Sequence, residues 1–198
     1  MSFYKFAFVV CNAFVRIAFK FRAEGVENLP NDGGYIICSN HRSYLDPVLL
    51  GVRIKRRLTF MAKEELFRVK ILGPLIKKLG AFPIARGKGD TEAVEFAIDT
   101  VKSGKALMLF PEGTRSKDGK LLKLKSGVVV IASRSQGLIV PSAIVFKGKL
   151  RFRRKVVVRY GKPISCEELG LDKLDRQNLK KAREILTEKI SELLEAEI

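Results

Sequence analysis

Short, mostly apolar runs alternate along this chain with longer stretches whose apolar positions recur at helical spacing. Runs at residues 35–39, 58–62, 81–84, 106–110, 139–146 and 155–160 have strand length and the near-continuous apolar character of strands buried on both faces, and residues 23–26 add a shorter one. Residues 47–52, 65–79, 91–102 and 128–135 predict helices between them, the second broken at Gly73-Pro74. Residues 91–102 carry Val94, Ala97, Ile98 and Val101 on one face, and Gly104 follows as a stop. A closing helix over residues 175–197 lines up Leu179, Ala182, Leu186, Ile190 and Leu193. Pro30, Asp32 and two glycines mark residues 28–34 as a loop. Strands alternating with helices predict the α/β class, a sheet with helices on its faces.

The segment before the first strand has a different pattern. From Phe3 to Phe21 it is rich in Phe, Val and Ala, and Lys5, Asn12, Arg16 and Lys20 fall on one narrow helical stripe. Phe3, Phe6, Val10, Phe14, Ile17 and Phe21 form the opposite face, widened by Phe8, Val15 and Phe19. The charges rule out a cleavable signal, and the uncharged stretch over residues 6–15 is about half a bilayer span. The arc is broader than a helix packed on one core needs, which favours a membrane-interface helix over residues 1–22. Residues 23–198 then form one domain, long enough to bury a sizeable core.

Charge narrows the partners. The 198 residues hold 38 Lys+Arg against 21 Asp+Glu, a net charge of +17, which calls for an anionic partner. A nucleic-acid module would interleave aromatics with basic residues, but the Phe residues concentrate in the N-terminal helix, so nucleic acid is not expected. Cys11, Cys38 and Cys166 are widely spaced with no CxxC pair, and one histidine cannot complete a usual zinc set. They read as reduced core residues of a cytosol-facing protein, with no metal expected.

That single histidine, His41, follows the run at residues 35–39, and Asp46-Pro47 comes five residues on as an N-cap with proline at the first helical position. A carboxylate there can accept a ring N–H, fix the tautomer and stabilise the imidazolium of a general base; the plain alternative is that Asp46 only caps its helix. Other polar groups stand just beyond strand ends: Lys63, Arg86 and the loop Glu112-Gly113-Thr114-Arg115-Ser116. Lys63, Arg86 and Arg115 offer positive charge for a phosphate, Gly113 close backbone approach and Thr114 a hydroxyl donor. Glu112, odd in a cationic loop, can orient an arginine or bind a substrate hydroxyl.

Four blocks in order make the pattern specific: Asn40-His41-Arg42-Ser43-Tyr44-Leu45-Asp46, Gly80-Ala81-Phe82-Pro83-Ile84-Ala85-Arg86, Phe110-Pro111-Glu112-Gly113-Thr114-Arg115-Ser116, and Ile139-Val140-Pro141-Ser142-Ala143-Ile144. With them, residues 24–160 resemble the glycerolipid acyltransferases of the lysophosphatidate acyltransferase (PlsC-like) family, whose hallmark is His-x4-Asp. Arg42 stands where many members carry glutamine, and Ser142 where valine is common. The resemblance implies a mixed, mostly parallel central sheet with helices on both faces. It implies acyl transfer from acyl-CoA or acyl carrier protein to the sn-2 hydroxyl of 1-acyl-glycerol 3-phosphate, giving phosphatidate without a cofactor. His41 and Asp46 would be catalytic; Lys63, Arg86, Glu112, Gly113, Thr114 and Arg115 would bind substrate. The alternatives are glycerol 3-phosphate or another lysolipid as acceptor, or thioester hydrolysis by the same base. Lysophosphatidate, the donor and an anionic membrane surface all suit the charge, and the expected location is the cytoplasmic face of the cell membrane, peripheral or monotopic. Residues 67–78, where Arg68, Lys70, Lys77 and Lys78 lie among Val69, Ile71, Leu72, Leu75 and Ile76, are a second candidate membrane contact.

Overall fold

The computed structural model of the protein describes residues 3–84, 91–171 and 173–196. The helix α1 (Phe3–Ala18) leads directly into strand β1 (Lys20–Glu24). Then follow β2 (Tyr35–Ser39), α2 (Asp46–Gly51), β3 (Leu58–Lys63), α3 (Glu64–Phe67), α4 (Leu72–Lys78) and β4 (Ala81–Ile84). The second half runs α5 (Thr91–Lys102), β5 (Ala106–Leu109), α6 (Gly127–Ser135), β6 (Leu138–Val145), β7 (Lys155–Tyr160) and α7 (Arg176–Glu195).

The strands form one seven-stranded sheet in the order β1-β7-β6-β2-β5-β3-β4. Every neighbouring pair is parallel except β6–β7, so the sheet is mixed and mostly parallel, as expected. The strand period of two divides the core. Ile36, Cys38, Leu107, Leu109 and Ile139 face α5, α6 and α7, whereas Tyr35, Ile37, Ala106, Met108, Val140 and Ile144 face α1 and α2. Both faces of the central strands are thus dry, which explains why those runs are apolar throughout. The carboxyl ends of β2, β5, β3 and β4 lie along one rim, and β6 ends there too; that rim carries the site.

Two expectations shift. The first strand covers Lys20–Glu24 rather than residues 23–26, because its backbone pairs from Lys20 with Lys155 of β7; Val26 begins a 3-10 turn after Gly25, whose φ is +71°. The break in the 65–79 helix falls between Phe67 and Leu72, not at Gly73-Pro74. There the proline sits in the first turn of α4, where its missing N–H costs no helical bond. Gly73 packs against the carbonyl of Phe67, where a Cβ would come within 2.1 Å of the oxygen.

Candidate active site

The site begins where β2 runs out. Asn40, buried just past the strand, donates from Nδ2 to the Ile144 carbonyl (3.1 Å) and accepts the Ile144 N–H at Oδ1 (2.8 Å). Its side-chain amide prolongs the β2–β6 ladder by one rung and fixes where the loop departs. His41 comes next, its ring stacked on Phe110 with centroids 4.2 Å apart and planes 20° from parallel.

His41 Nδ1 lies 2.8 Å from Asp46 Oδ2, and Asp46 is fully buried. The same oxygen accepts the backbone N–H groups of Arg42 (2.5 Å) and Ser43 (2.7 Å). This corrects the N-cap expectation. Leu45 occupies the cap position, Asp46 is the first residue of α2, and its carboxylate turns back into the loop rather than forward onto the helix. With the N–H groups of Arg42 and Ser43 already donating to Oδ2, that oxygen is placed to accept from an Nδ1–H tautomer of His41, which leaves the Nε2 lone pair free. The carboxylate therefore holds the loop and selects the tautomer together.

Glu112 differs from its expected role. It is 3% exposed, and burial pushes its carboxyl up from the usual glutamate range, against the opposing pull of two backbone donors. Oε1 takes the N–H of His41 at 2.6 Å and Oε2 the N–H of Leu122 at 2.9 Å. Both oxygens are turned to backbone donors, so Glu112 neither orients an arginine nor faces solvent as a hydroxyl acceptor would. It ties the third block to the first, and Ser116 N adds a bond to the His41 carbonyl (2.8 Å). Gly113 has a φ of +70° and lies so near Lys125 that a Cβ would come within 2.7 Å of its Nζ. Thr114 follows in the same exposed turn, and the Arg115 guanidinium lies 3.5 Å over the ring of Tyr44.

The first and third blocks therefore converge. Lys63, at the end of β3, pairs with Glu65 at 2.7 Å. Arg86 lies outside the described residues.

Sequence reasoning missed Asn40, Phe110 and the working of Arg42. Arg42 donates to the carbonyls of Phe146 (2.6 Å) and Gly148 (3.1 Å) and stands 4.1 Å over the Phe146 ring, bolting the loop to the turn after β6. Burial favours its neutral form slightly. Only the placement of these residues inside matched blocks hinted at such roles.

Beside α2, an apolar cavity of about 100 Å³ opens between α1 and the domain. Pro47, Val48 and Gly51 of α2, Phe8 and Cys11 of α1, and Met108 of β5 line it. The helix α1 closes it with one sector only: Val15 and Ala18 are buried and Tyr4, Ala7, Phe8 and Cys11 partly so. The adjoining sector, with Phe3, Phe6, Val9, Val10, Phe14 and Ile17, is exposed to solvent. One sector of α1 thus packs on the domain, and a separate apolar sector is left uncovered. Among the described residues no helix is long and apolar enough to cross a membrane.

Comparison with known proteins adds to this geometry. Residues 20–145 match the family model described as Acyltransferase. A protein of Bacillus subtilis named 1-acyl-sn-glycerol-3-phosphate acyltransferase is 33% identical over 171 residues, 84% of each chain. One of the same name from Streptococcus pneumoniae is 33% identical over 150 residues, 72% of this chain and 55% of its own, so this chain spans about half of that relative. The crystal structure of the 1-acyl-sn-glycerophosphate acyltransferase PlsC of Thermotoga maritima superposes with a TM-score of 0.73 at 27% identity, covering 98% of this chain and 82% of that one.

Proposed function

The chain belongs to the acyltransferase family, and on that premise we propose that it transfers a fatty acyl group from acyl-CoA or acyl carrier protein to the sn-2 hydroxyl of 1-acyl-glycerol 3-phosphate, forming phosphatidate. The observation that carries this reading is the His41–Asp46 pair, 2.8 Å apart at Nδ1 and Oδ2, with Nε2 free to act as a base. His41 Nε2 takes the proton of the sn-2 hydroxyl as its oxygen attacks the thioester carbonyl. The tetrahedral intermediate collapses, the C–S bond breaks, and the imidazolium returns the proton to the departing thiolate. Asp46 stabilises the imidazolium between those steps. General-base catalysis of this kind supplies on the order of 10²–10⁴-fold.

Direct attack suits the local chemistry. Ser39 and Cys38 precede the base, but the Ser39 hydroxyl is buried and bonded to Asn40, and burial raises the Cys38 thiol far above its ordinary value. Neither is poised as a nucleophile. Arg115 offers a bidentate fork for the acceptor phosphate, with Gly113 and Thr114 beside it; Lys63 at the end of β3 contributes positive charge, and the sequence adds Arg86 two residues after Ile84. The apolar cavity beside α2 suits part of an acyl chain, since Pro47, the residue after Asp46, forms part of its apolar lining. Residues 1–22 act as an interfacial element, laying the exposed face of α1 in a lipid surface, while residues 23–198 carry the chemistry. We place the protein at the cytoplasmic face of the cell membrane.

The test is an assay of purified protein in detergent with lysophosphatidate and, separately, acyl-CoA and acyl carrier protein thioester. Phosphatidate is expected with at least one donor. Free fatty acid without phosphatidate would replace transfer with hydrolysis, and product from glycerol 3-phosphate in preference to lysophosphatidate would change the acceptor.

A further inference from the structure

Far from the His41 loop in sequence, the turn between β6 and β7 gathers a dense positive charge. A cleft of about 590 Å³ is lined by Lys20, Lys147, Arg151, Phe152, Arg153, Arg154 and Lys155. No carboxylate lines it, and none of these cations forms an ion pair among the described residues. Phe152, at the tip, is 72% exposed between two arginines. An exposed aromatic ringed by cations is costly in water and favourable where apolar chains meet anionic headgroups.

Position says which partner fits. The hairpin is joined to the end of α1: Arg153 N donates to the Ala18 carbonyl (2.6 Å) and Lys20 N to the Arg154 carbonyl (3.0 Å). One residue earlier, Ile17 is 67% exposed and belongs to the uncovered apolar face of α1. The stem of the hairpin is held by Arg42, through Phe146 and Gly148, and the backbone N–H of Arg42 bonds to Asp46. The basic turn is therefore continuous with the apolar face of α1 on one side and with the catalytic loop on the other.

We propose that the β6–β7 hairpin is an anionic-phospholipid docking site, its cleft taking phosphate headgroups and Phe152 entering the acyl region, which seats the catalytic loop at the bilayer surface. It deepens the membrane reading of α1 above by naming a second, charge-selective contact and the lipid class it selects. An acidic carrier protein would also be drawn to the charge, but it does not call for an exposed Phe contiguous with a further uncovered apolar face.

The full chain is compared with the triple variant Lys147→Gln, Arg151→Gln, Arg154→Gln and with Phe152→Ala in sedimentation with phosphatidylcholine vesicles, with and without phosphatidylglycerol. At ~1 kcal/mol per basic residue, the triple variant should bind phosphatidylglycerol vesicles about 100-fold more weakly and neutral vesicles unchanged. Phe152→Ala should weaken binding to both. Thermal unfolding checks that the variants fold, and transfer in detergent micelles reports the proposed activity separately. Unchanged affinity of the folded triple variant for phosphatidylglycerol vesicles would overturn the proposal. So would undiminished vesicle binding together with lost binding to acyl carrier protein, which would make the turn a protein-docking surface.

Discussion

The proposed tasks of Asp46 in the first block and of Glu112 and Arg115 in the third separate by experiment. Asp46→Asn keeps the size of the side chain but weakens its hold on the Nδ1 proton of His41, so kcat should fall by about 10³–10⁴-fold with the fold retained. Glu112→Gln should also lower kcat, by a different route. An amide can accept only one of the two N–H bonds from His41 and Leu122, and its NH₂ then faces a donor in a buried site. The variant should lose about 1–3 kcal/mol of stability in denaturant titration. Arg115→Ala should mainly raise KM for lysophosphatidate; an unchanged KM would remove Arg115 from the phosphate site. The sequence offered His41 and Asp46 as a candidate pair with a plain helix cap as the alternative, and it was the later blocks in order, not the spacing alone, that favoured the pair. It did not foresee the backbone bonds of Glu112 to His41 and Leu122, because residue type does not say which way a carboxylate faces. A buried glutamate serving two distant backbone donors at His41 and Leu122 becomes visible only when the loops are closed over each other.

At the scale of elements, β2, β4, α5 and β7 were legible to the residue, since apolar periodicity and flanking glycines bound them. The ends of β1 and the break before α4 were not, because pairing with β7 and the packing of Gly73 on Phe67 decide them, and neither is local in the way a turn signal is. The dual use of α1 was legible only as an arc too broad for one surface; which residues face inward depends on where α2 and β3 meet it. Deleting the helix would remove Val15 and Ala18 from the core and confound the result. The cleaner variant is Phe6→Ser with Ile17→Ser, both exposed, which should release the protein from vesicles without lowering its thermal midpoint. The cavity wall offers a second element-scale test. A Cβ at Gly51 would point at Leu58 (3.3 Å) and Met108 (3.9 Å), so Gly51→Leu should fill the space and cut activity with long acyl chains more than with short ones.

The whole molecule is a parallel-rich sheet with its chemistry on one rim, an apolar helix along one side and a basic hairpin at that helix's end. On the proposed function the net charge of +17 suits an anionic substrate, donor and surface alike, so vesicle binding should weaken as ionic strength rises and the Debye length falls from about 10 Å at 0.1 M to about 3 Å at 1 M. The central claim is that one imidazole, held by Asp46, is the base for acyl transfer. With a single histidine in the chain, no other imidazole can substitute. The direct measurement is phosphatidate formation from lysophosphatidate and acyl thioester by His41→Ala in detergent micelles, its fold checked by circular dichroism. Loss of kcat by at least about 10²-fold with the fold intact is predicted; wild-type turnover by the folded variant would contradict the mechanism.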